Sequence, residues 1–294
     1  MKPTLSAILE SDQEMGLVVQ GGGMRGSYSI SVLHELARSG YTKRFSKIWA
    51  TSAGAVNGAY FLAGQTEAGL TAYTEHLARR EFINPLRRSC IIDIDYLIDK
   101  VLTEDVVLDL DALRASQSQL NLGVMAAVSG QLHWADIKNM AWPLLETFRA
   151  ATALPVVYGK EILLGDQAYV DGGLIEALPV SLALESGLEN VLVVMTKPLD
   201  HQVKAPSRAE RRAMRYLAER SGHSAGVINQ LGSFDFMFQY SLTTVRRGTS
   251  SNGRTNIWCV APTGAMAGRL TRDPRKLQKT IDLAARDTRA ALLA

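Results

Sequence analysis

Three short segments of the chain combine residue types that could act together on a carbonyl substrate. The first is a glycine-rich turn over residues 21–26, GGGMRG, which follows an apolar run. The second contains Ser52, which stands among small residues in the segment WATSAGA. The third contains Asp171, which two glycines follow in the segment AYVDGG. A hydroxyl, a carboxylate and open backbone amides are the groups that nucleophilic acyl chemistry requires.

The glycine turn also fits a nucleotide-binding pattern, because Gly21, Gly23 and Gly26 match G-x-G-x-x-G. A dinucleotide site of that kind needs an acidic residue about 20 positions further on to bind the ribose. The chain has no Asp or Glu between Glu35 and Glu67, and no Gly-Lys-Ser/Thr follows the turn. We therefore expect no nucleotide cofactor, and no cofactor of another class.

Ser52 directly follows an apolar run and is flanked by Ala50, Ala53 and Gly54. This pattern is typical of a nucleophile elbow, a strand-to-helix turn so sharp that only small neighbours fit. Serine is also a frequent helix N-cap, and Ser52 alone is compatible with either role. The glycine turn favours the nucleophile, since glycine amides on a neighbouring parallel strand could stabilise an oxyanion.

A serine nucleophile needs a base, and none of the histidines lies in a site-like context; they are His34, His76, His133, His201 and His223. Asp171 is the better candidate, since it ends an apolar run and precedes a helix expected to begin near Pro179. An Asp-Gly-Gly segment is also a common turn, so that alternative remains open at this point.

The surrounding pattern predicts the elements that must position these groups. Apolar runs over 16–20 and 47–51 each lead into a helical pattern, over 27–39 and 53–63, which predicts an α/β fold with a mainly parallel central sheet. Further strands are expected over 119–128, 161–170 (with a turn at residues 165–166), 191–196 and 256–260, and further helices over 66–80, 141–151, 208–220 and from about 273.

Composition places the chain among ordinary globular proteins. It has 294 residues, of which 47% are hydrophobic and 21% charged, and a net charge of +3. We expect a single domain over 1–294, with a catalytic region over about 14–200 that residues 201–294 complete. The mildly basic balance comes with no nucleic-acid-binding motif, so no nucleic-acid partner is expected.

The same sequence predicts a cytoplasmic protein. Cys90 and Cys259 are far apart in the sequence and form no metal-ligand pair. Two such cysteines are typical of the reduced thiols of a cytosolic protein. Glu10 and Asp12 interrupt the N-terminal apolar residues, and no run is long enough to span a bilayer. We expect no metal site.

One segment could bring the protein to the inner face of the membrane. Residues 208–220, RAERRAMRYLAER, form a charged amphipathic pattern that could rest on anionic lipid head groups. A solvated surface helix with internal Glu–Arg pairs explains the same pattern, so peripheral membrane contact is one of two interpretations.

Together the three segments resemble the patatin-like phospholipase family over roughly residues 14–200. Gly21-Gly22-Gly23-Met24-Arg25-Gly26 matches the family's G-G-G-x-R-G loop, Ala50-Thr51-Ser52-Ala53-Gly54 approximates its G-x-S-x-G elbow, and Asp171-Gly172-Gly173 matches its D-G-G/A element. The resemblance implies a three-layer α/β/α fold with the nucleophile elbow after an early strand.

It further implies a lipid acyl hydrolase of the phospholipase A, lysophospholipase or carboxylesterase type, acting on a lipid or fatty-acyl ester. Ser52 would be the nucleophile and Asp171 the proton acceptor. The amides of Gly22 and Gly23, joined by that of Ala53, would stabilise the oxyanion, and Arg25 would support the loop or face a substrate phosphate. Calcium is not implied.

The elbow departs from the family pattern at Ala50, where the family usually has glycine. Two alternatives follow: an acyltransferase that uses the same dyad, and a non-catalytic lipid-binding or regulatory protein that retains the fold. The Ala50 change supports only the second of these.

Overall fold

The computed structural model describes residues 3–87, 90–231 and 234–293, with the backbone alone for residues 234 and 235. Within these residues eight strands form one sheet. The strands are β1 (Met15–Val19), β2 (Phe45–Ala50), β3 (Gln119–Ala126), β4 (Leu132–Asp136), β5 (Ile162–Leu164), β6 (Gln167–Asp171), β7 (Asn190–Val194) and β8 (Asn256–Val260).

Helices surround this sheet. The α-helices are α1 (Leu5–Leu9), α2 (Gly26–Arg38), α3 (Ala53–Leu62), α4 (Thr66–Thr71), α5 (Leu110–Ala115), α6 (Leu144–Thr152), α7 (Val180–Glu185), α8 (Arg208–Arg220), α9 (Ala225–Gln230), α10 (Phe234–Arg247) and α11 (Pro274–Leu293). Ala72–His76 and Tyr96–Asp105 are π-helical, and Gly23–Arg25, Thr42–Arg44 and Gly172–Leu174 form 3₁₀ turns.

The sheet has a parallel centre and an antiparallel end. Hydrogen-bonded neighbours follow the order β5-β6-β3-β2-β1-β7-β8, and β4 also pairs with β3. The pairs from β3 through β2, β1 and β7 to β8 are parallel. The pairs β3–β4, β3–β6 and β5–β6 are antiparallel. This agrees with a mainly parallel central sheet.

Both faces of the central strands are buried, which makes the fold three-layered. Leu17 and Val19 of β1 belong to the apolar core shared with α2, α3 and α11, whereas Val18 belongs to the core shared with α7 and α10. Leu192 and Val193 of β7 divide between the two cores in the same way. A strand buried on both sides reads as a continuous apolar run, as β1 and β7 do.

Most predicted elements are confirmed, and two predicted helices differ in extent. The helix expected over 66–80 begins at Thr66 but becomes π-helical at Ala72 and ends at His76. The helix expected over 141–151 begins at Leu144, because Pro143 has extended backbone angles and is its N-cap. Strand β4 was not predicted, since it has only five residues, four of them half-exposed, and carries little periodic pattern.

Candidate active site

Ser52 lies at a strained turn between β2 and α3. Its backbone angles are φ 55° and ψ −138°, and its side chain makes no capping hydrogen bond to the helix. Only one other described non-glycine residue, Val156, has positive φ. Such strain persists where the surrounding structure enforces it, often at functional sites. Ser52 occupies the N-cap position of α3 without capping the helix through its side chain, and the turn has the sharp strand-to-helix form that a nucleophile elbow requires.

Small residues are required around the elbow because other backbone segments lie against it. A Cβ on Gly54 would stand 2.4 Å from the carbonyl oxygen of Val19, and a Cβ on Gly21 would stand 2.5 Å from the Ser52 Cβ. Ala50, where the family pattern has glycine, is fully buried in the apolar core. Its methyl group therefore fits within the packed sheet.

The glycine loop crosses in front of Ser52 in a conformation that favours glycine. Gly22 and Gly23 have φ of 147° and 59°, in the region that side chains disfavour. Among the described residues, the amides of Gly22, Gly23 and Ala53 have no hydrogen-bond acceptor, whereas the Met24 amide donates to the Arg269 carbonyl at 3.0 Å. Three backbone donors near Ser52 thus remain available.

Other elements hold the loop at both ends. The Thr196 hydroxyl, just after β7, donates to the Gly21 carbonyl at 2.6 Å. The Asn57 side chain on α3 donates to the Gly26 carbonyl at 2.9 Å. A Cβ on Gly26 would stand 2.1 Å from the Tyr73 hydroxyl, so a larger residue here would displace that buried side chain.

Strand pairing brings Asp171 to the elbow. Leu122 of β3 pairs with Ala50 of β2 on one edge of the strand and with β4 on the other edge. Val124 of β3 pairs with β4 on that second edge, and with Asp171 of β6 on the first. Strands β2 and β6 therefore lie in succession along the same edge of β3. Where β2 turns away into the elbow, β6 takes its place, and its last residue is Asp171.

One short segment at the end of α6 holds the backbones of both residues. The Ser52 amide donates to the Ala151 carbonyl at 3.0 Å, and the Asp171 amide donates to the Ala153 carbonyl at 3.1 Å. Arg149, one turn earlier, donates to Asp95 at 2.6 Å and to other carboxylates, which ties α6 to the π-helical segment Tyr96–Asp105 and its flank. The spacing between Ser52 and Asp171 thus depends on α6.

The two carboxylate oxygens of Asp171 have different surroundings. Oδ1 accepts a hydrogen bond from the Gly173 amide at 2.8 Å, which is the turn contact that the sequence left open. Oδ2 is buried and has no hydrogen-bond partner among the described residues. A Cβ on Gly172 would stand 2.5 Å from the Gly123 carbonyl carbon, which explains why glycine follows Asp171.

Burial raises the pKa of the Asp171 carboxyl to about 7, because the charged form loses water there. The Gly173 amide, Ser52 and the positive charge of Arg269 act in the opposite direction. Ser52 is close enough to affect the pKa, but no well-formed hydrogen bond joins it to Oδ2. Loose contacts of this kind are common in active sites without substrate.

Two cavities meet at Ser52. The first is narrow, leaves about 50 Å³ for water-sized molecules, and is lined mainly by apolar side chains beneath the π-helical segments. The second is an open cleft of about 610 Å³ that is lined by Asp171, Arg25 and several polar residues. Ser52, Gly23 and Arg269 belong to both linings.

The structure thus brings together the residues singled out from the sequence, and it adds residues that sequence patterns missed. Thr196, Asn57 and Arg269 support or line the site, but none stands in a local motif that marks it. None of the five histidines lines either cavity. Among the residues described, no three His, Cys, Asp or Glu side chains come together as metal ligands do.

Comparison with known proteins identifies a family model and a curated relative that match this chain. The model of the patatin-like phospholipase family matches residues 17–184. Uncharacterized protein YjjU of Escherichia coli (strain K12) is 29% identical over 188 residues, which cover 63% of this chain and 52% of YjjU. The chain therefore spans about half the length of that curated relative.

A similar fold occurs among solved structures. The crystal structure of VipD from Legionella pneumophila aligns with a TM-score of 0.56, over 96% of this chain and 67% of VipD. The sequence identity is 12%, so this likeness shows the fold alone.

Proposed function

The chain belongs to the patatin-like phospholipase family, and on that premise we propose that it is a lipid acyl hydrolase with a Ser52–Asp171 dyad. The substrates would be carboxylic esters of fatty acids, as for a phospholipase A, lysophospholipase or carboxylesterase. The observation that carries the proposal is the strained Ser52 at the junction of two cavities, beside a buried carboxylate with an unpartnered oxygen.

In the first half-reaction, Ser52 Oγ attacks the ester carbonyl and its proton passes to Asp171 Oδ2. The carbonyl π electrons move to oxygen and form a tetrahedral oxyanion. Collapse of this intermediate breaks the bond to the alcohol, which leaves with the proton from Asp171. The product is an acyl-enzyme on Ser52. A carboxylate whose pKa is about 7 can accept and return that proton near neutral pH.

The unpartnered amides of Gly22, Gly23 and Ala53 support the oxyanion step. Their hydrogen bonds would form as charge develops on the substrate oxygen, in a loop that is already ordered. Removal of one such donor typically lowers the rate by about 10²–10³.

In the second half-reaction water attacks the acyl-enzyme, again with Asp171 as the proton acceptor, and the fatty acid leaves.

The two cavities suggest how a substrate divides. The apolar cavity suits the acyl chain, and its lining includes Val56, Tyr60, Leu77, Ile83, Leu97 and Leu102. Its present volume has room for only a few water molecules, so we expect an acyl chain to push the π-helical segments Ala72–His76 and Tyr96–Asp105 outward. The open cleft would accept the alcohol half of the ester.

Ala50 argues little against catalysis, because it is packed in the core and the elbow geometry at Ser52 is retained. This favours an enzyme over the non-catalytic lipid-binding alternative. An acyltransferase would form the same acyl-enzyme and differ only in the second acceptor. Product analysis with added alcohol distinguishes the two enzymes.

A fluorophosphonate probe tests the proposal directly, together with hydrolysis of a short aryl ester. We expect wild type to be labelled and active, Ser52→Ala to lose labelling, and Asp171→Asn to lose turnover. Ser39→Ala, at an exposed serine, and Asp166→Asn, at an exposed turn in the hairpin that carries Asp171, are matched controls. A folded wild type that is neither labelled nor active with lipid vesicles present would contradict the proposal.

We further propose that α8 makes peripheral contact with anionic membranes. Ala218 is its only buried residue, and Glu210 and Met214 lie at the rim of the open cleft. Four of its five arginines, all except Arg220, lie within about 100° of one another around the helix axis and would face the head groups. Wild type should co-sediment with phosphatidylglycerol vesicles more than with phosphatidylcholine vesicles, and Arg212→Glu should weaken this. Equal binding to both vesicles would contradict the contact.

None of the helices in the described part of the chain combines the length and apolar composition needed to cross a bilayer.

A further inference from the structure

Arg269 reaches the candidate site from a loop outside the part of the chain that matches the family model. The loop joins β8 to α11 and is held by backbone contacts. The Met24 amide donates to the Arg269 carbonyl at 3.0 Å, and the Ala267 amide donates to the Thr280 hydroxyl of α11 at 2.8 Å. Arg269 is therefore positioned by the C-terminal helix and the glycine loop together.

The side chain of Arg269 lies where the two cavities meet. Its Cγ would stand 3.0 Å from a Cβ on Gly23, so its stem crosses the glycine loop. Arg269 lines both cavities together with Ser52 and interacts electrostatically with Asp171. A group bound to this guanidinium would be next to the ester bond that Ser52 attacks.

A second guanidinium, that of Arg25, lies near enough to Arg269 for the two charges to interact. Arg25 Nε is buried and has no hydrogen-bond partner, and among the described residues neither Arg25 nor Arg269 forms an ion pair. Burial and the charge of Arg269 lower the pKa of Arg25 to about 10. Arg269 is exposed and Asp171 offsets part of its charge, whereas Arg25 is half-buried and has no carboxylate partner among the described residues. An anion that accepts hydrogen bonds from both guanidinium groups would offset their mutual repulsion.

The remaining charges of the cleft favour the same kind of ligand. Lys197 and Lys204 also line it, and the only acidic side chains in its lining are Asp171 and Glu210. The Glu210 carboxylate accepts the Ser207 amide at 2.7 Å as part of a helix cap. The described lining thus has four cationic side chains for an anionic head group, whereas one of its two carboxylates belongs to the helix cap and the other, Asp171, is buried beside Ser52.

We propose that Arg269, with Arg25, forms an anion subsite that selects esters whose alcohol half carries a net negative phosphate group. The subsite rests on the proposed function, because it assigns the alcohol half of the ester to the open cleft. Arg269 is then a specificity-determining residue. Its guanidinium can bind phosphate oxygens in a bidentate manner, which a neutral glyceride does not offer.

Binding is measured first, in the Ser52→Ala background, so that the result does not depend on ester hydrolysis. The probes are hexyl ether analogues: 1-O-hexylglycerol 3-phosphate, its phosphocholine counterpart and 1-O-hexylglycerol. We expect the anionic ether to bind at least tenfold more tightly than the other two, and Arg269→Gln to remove this preference. Arg272→Gln, at an exposed arginine in the same loop, is the matched control. Equal affinities, or a preference that survives Arg269→Gln, would overturn the subsite.

Inorganic phosphate, titrated alone, distinguishes a lipid head group from a free anion. We expect it to bind at least tenfold more weakly than the anionic ether, because it has no alkyl chain to place in the apolar cavity. Equal binding of phosphate and ether would overturn selection of a lipid ester.

Kinetics provide the second readout in wild type. The ratio of kcat/KM for an anionic lysophospholipid to that for the matching monoacylglycerol should fall at least tenfold in Arg269→Gln and stay unchanged in Arg272→Gln. An equal loss for both substrates would mean that Arg269 acts on the oxyanion or on Asp171, and would overturn the subsite. Absence of fluorophosphonate labelling in wild type contradicts the proposed function instead, and leaves the binding result to decide the subsite.

Discussion

Replacing Asp171 by asparagine should stabilise the folded protein at neutral pH while removing activity. In the native state the carboxyl is fully buried and its pKa is raised from 3.8 to about 7, chiefly by burial. Between these two pH values the native chain holds a proton that the unfolded chain has lost. Raising the pH through this window therefore favours unfolding. Asparagine is uncharged and does not contribute to that loss.

The size of the effect follows from the shift in pKa. One pKa unit corresponds to about 1.4 kcal/mol, so the full cost of ionising Asp171 in the native state is about 4 kcal/mol. Between pH 5 and pH 8 the two titrations yield a change of about 2.5 kcal/mol in the free energy of unfolding. Any pH-independent cost of the new amide group cancels when the two pH values are compared.

Urea denaturation of wild type and Asp171→Asn at pH 5 and pH 8 measures this quantity. The difference in unfolding free energy between the two proteins should grow by about 2.5 kcal/mol in favour of the variant as the pH rises. Asp166→Asn is the control for the loss of an exposed carboxylate from the same hairpin. If the difference stays constant within about 1 kcal/mol, Asp171 is not protonated in the native state near neutral pH, and the electrostatic reasoning is refuted.

Three further predictions concern the same site. The kcat/KM for an ester should rise about tenfold per pH unit up to about 7 and then level off, because the base must be ionised; a flat profile from pH 5 to 8 would contradict Asp171 as base. Gly54→Ala should cost about 1–3 kcal/mol in a denaturation assay and abolish labelling, because the new Cβ meets a carbonyl oxygen of β1 at 2.4 Å. Gly264→Ala, whose nearest new contact is 3.6 Å, is its control, and equal losses would refute the packing argument. Ala50→Gly should cost about 0.5–1 kcal/mol and leave the labelling rate unchanged; a tenfold faster rate would show that the methyl group distorts the elbow.

Part of the site was predictable from sequence because its causes are local. A sharp strand-to-helix turn restricts the neighbours of Ser52 to small residues, and Gly54 is required within that turn. Gly22 and Gly23 adopt backbone angles that favour glycine, so the loop is visible in the sequence. The turn at Gly165 and the boundaries of α8 follow from equally local rules.

Other elements were missed because local periodicity does not distinguish them. Over one or two turns a π-helix has nearly the same apolar spacing as an α-helix. The pattern therefore predicts one helix over 66–80, whereas the structure has an α-helix that becomes π-helical at Ala72 and ends at His76. Strand β4 is short and half exposed, and its partner residues on β3 decide that it forms.

The sequence by itself determined which chemical groups the chain carries and the local turns that present two of them, because glycine, serine and small neighbours impose those turns directly. Only the tertiary structure decided that Asp171 stands beside Ser52, since β6 must follow β2 along the same edge of β3. It also decided that Arg269 enters the site and that α6 holds both backbones. These contacts join residues far apart in the chain, and their free energy comes from packing and pairing that no local pattern encodes.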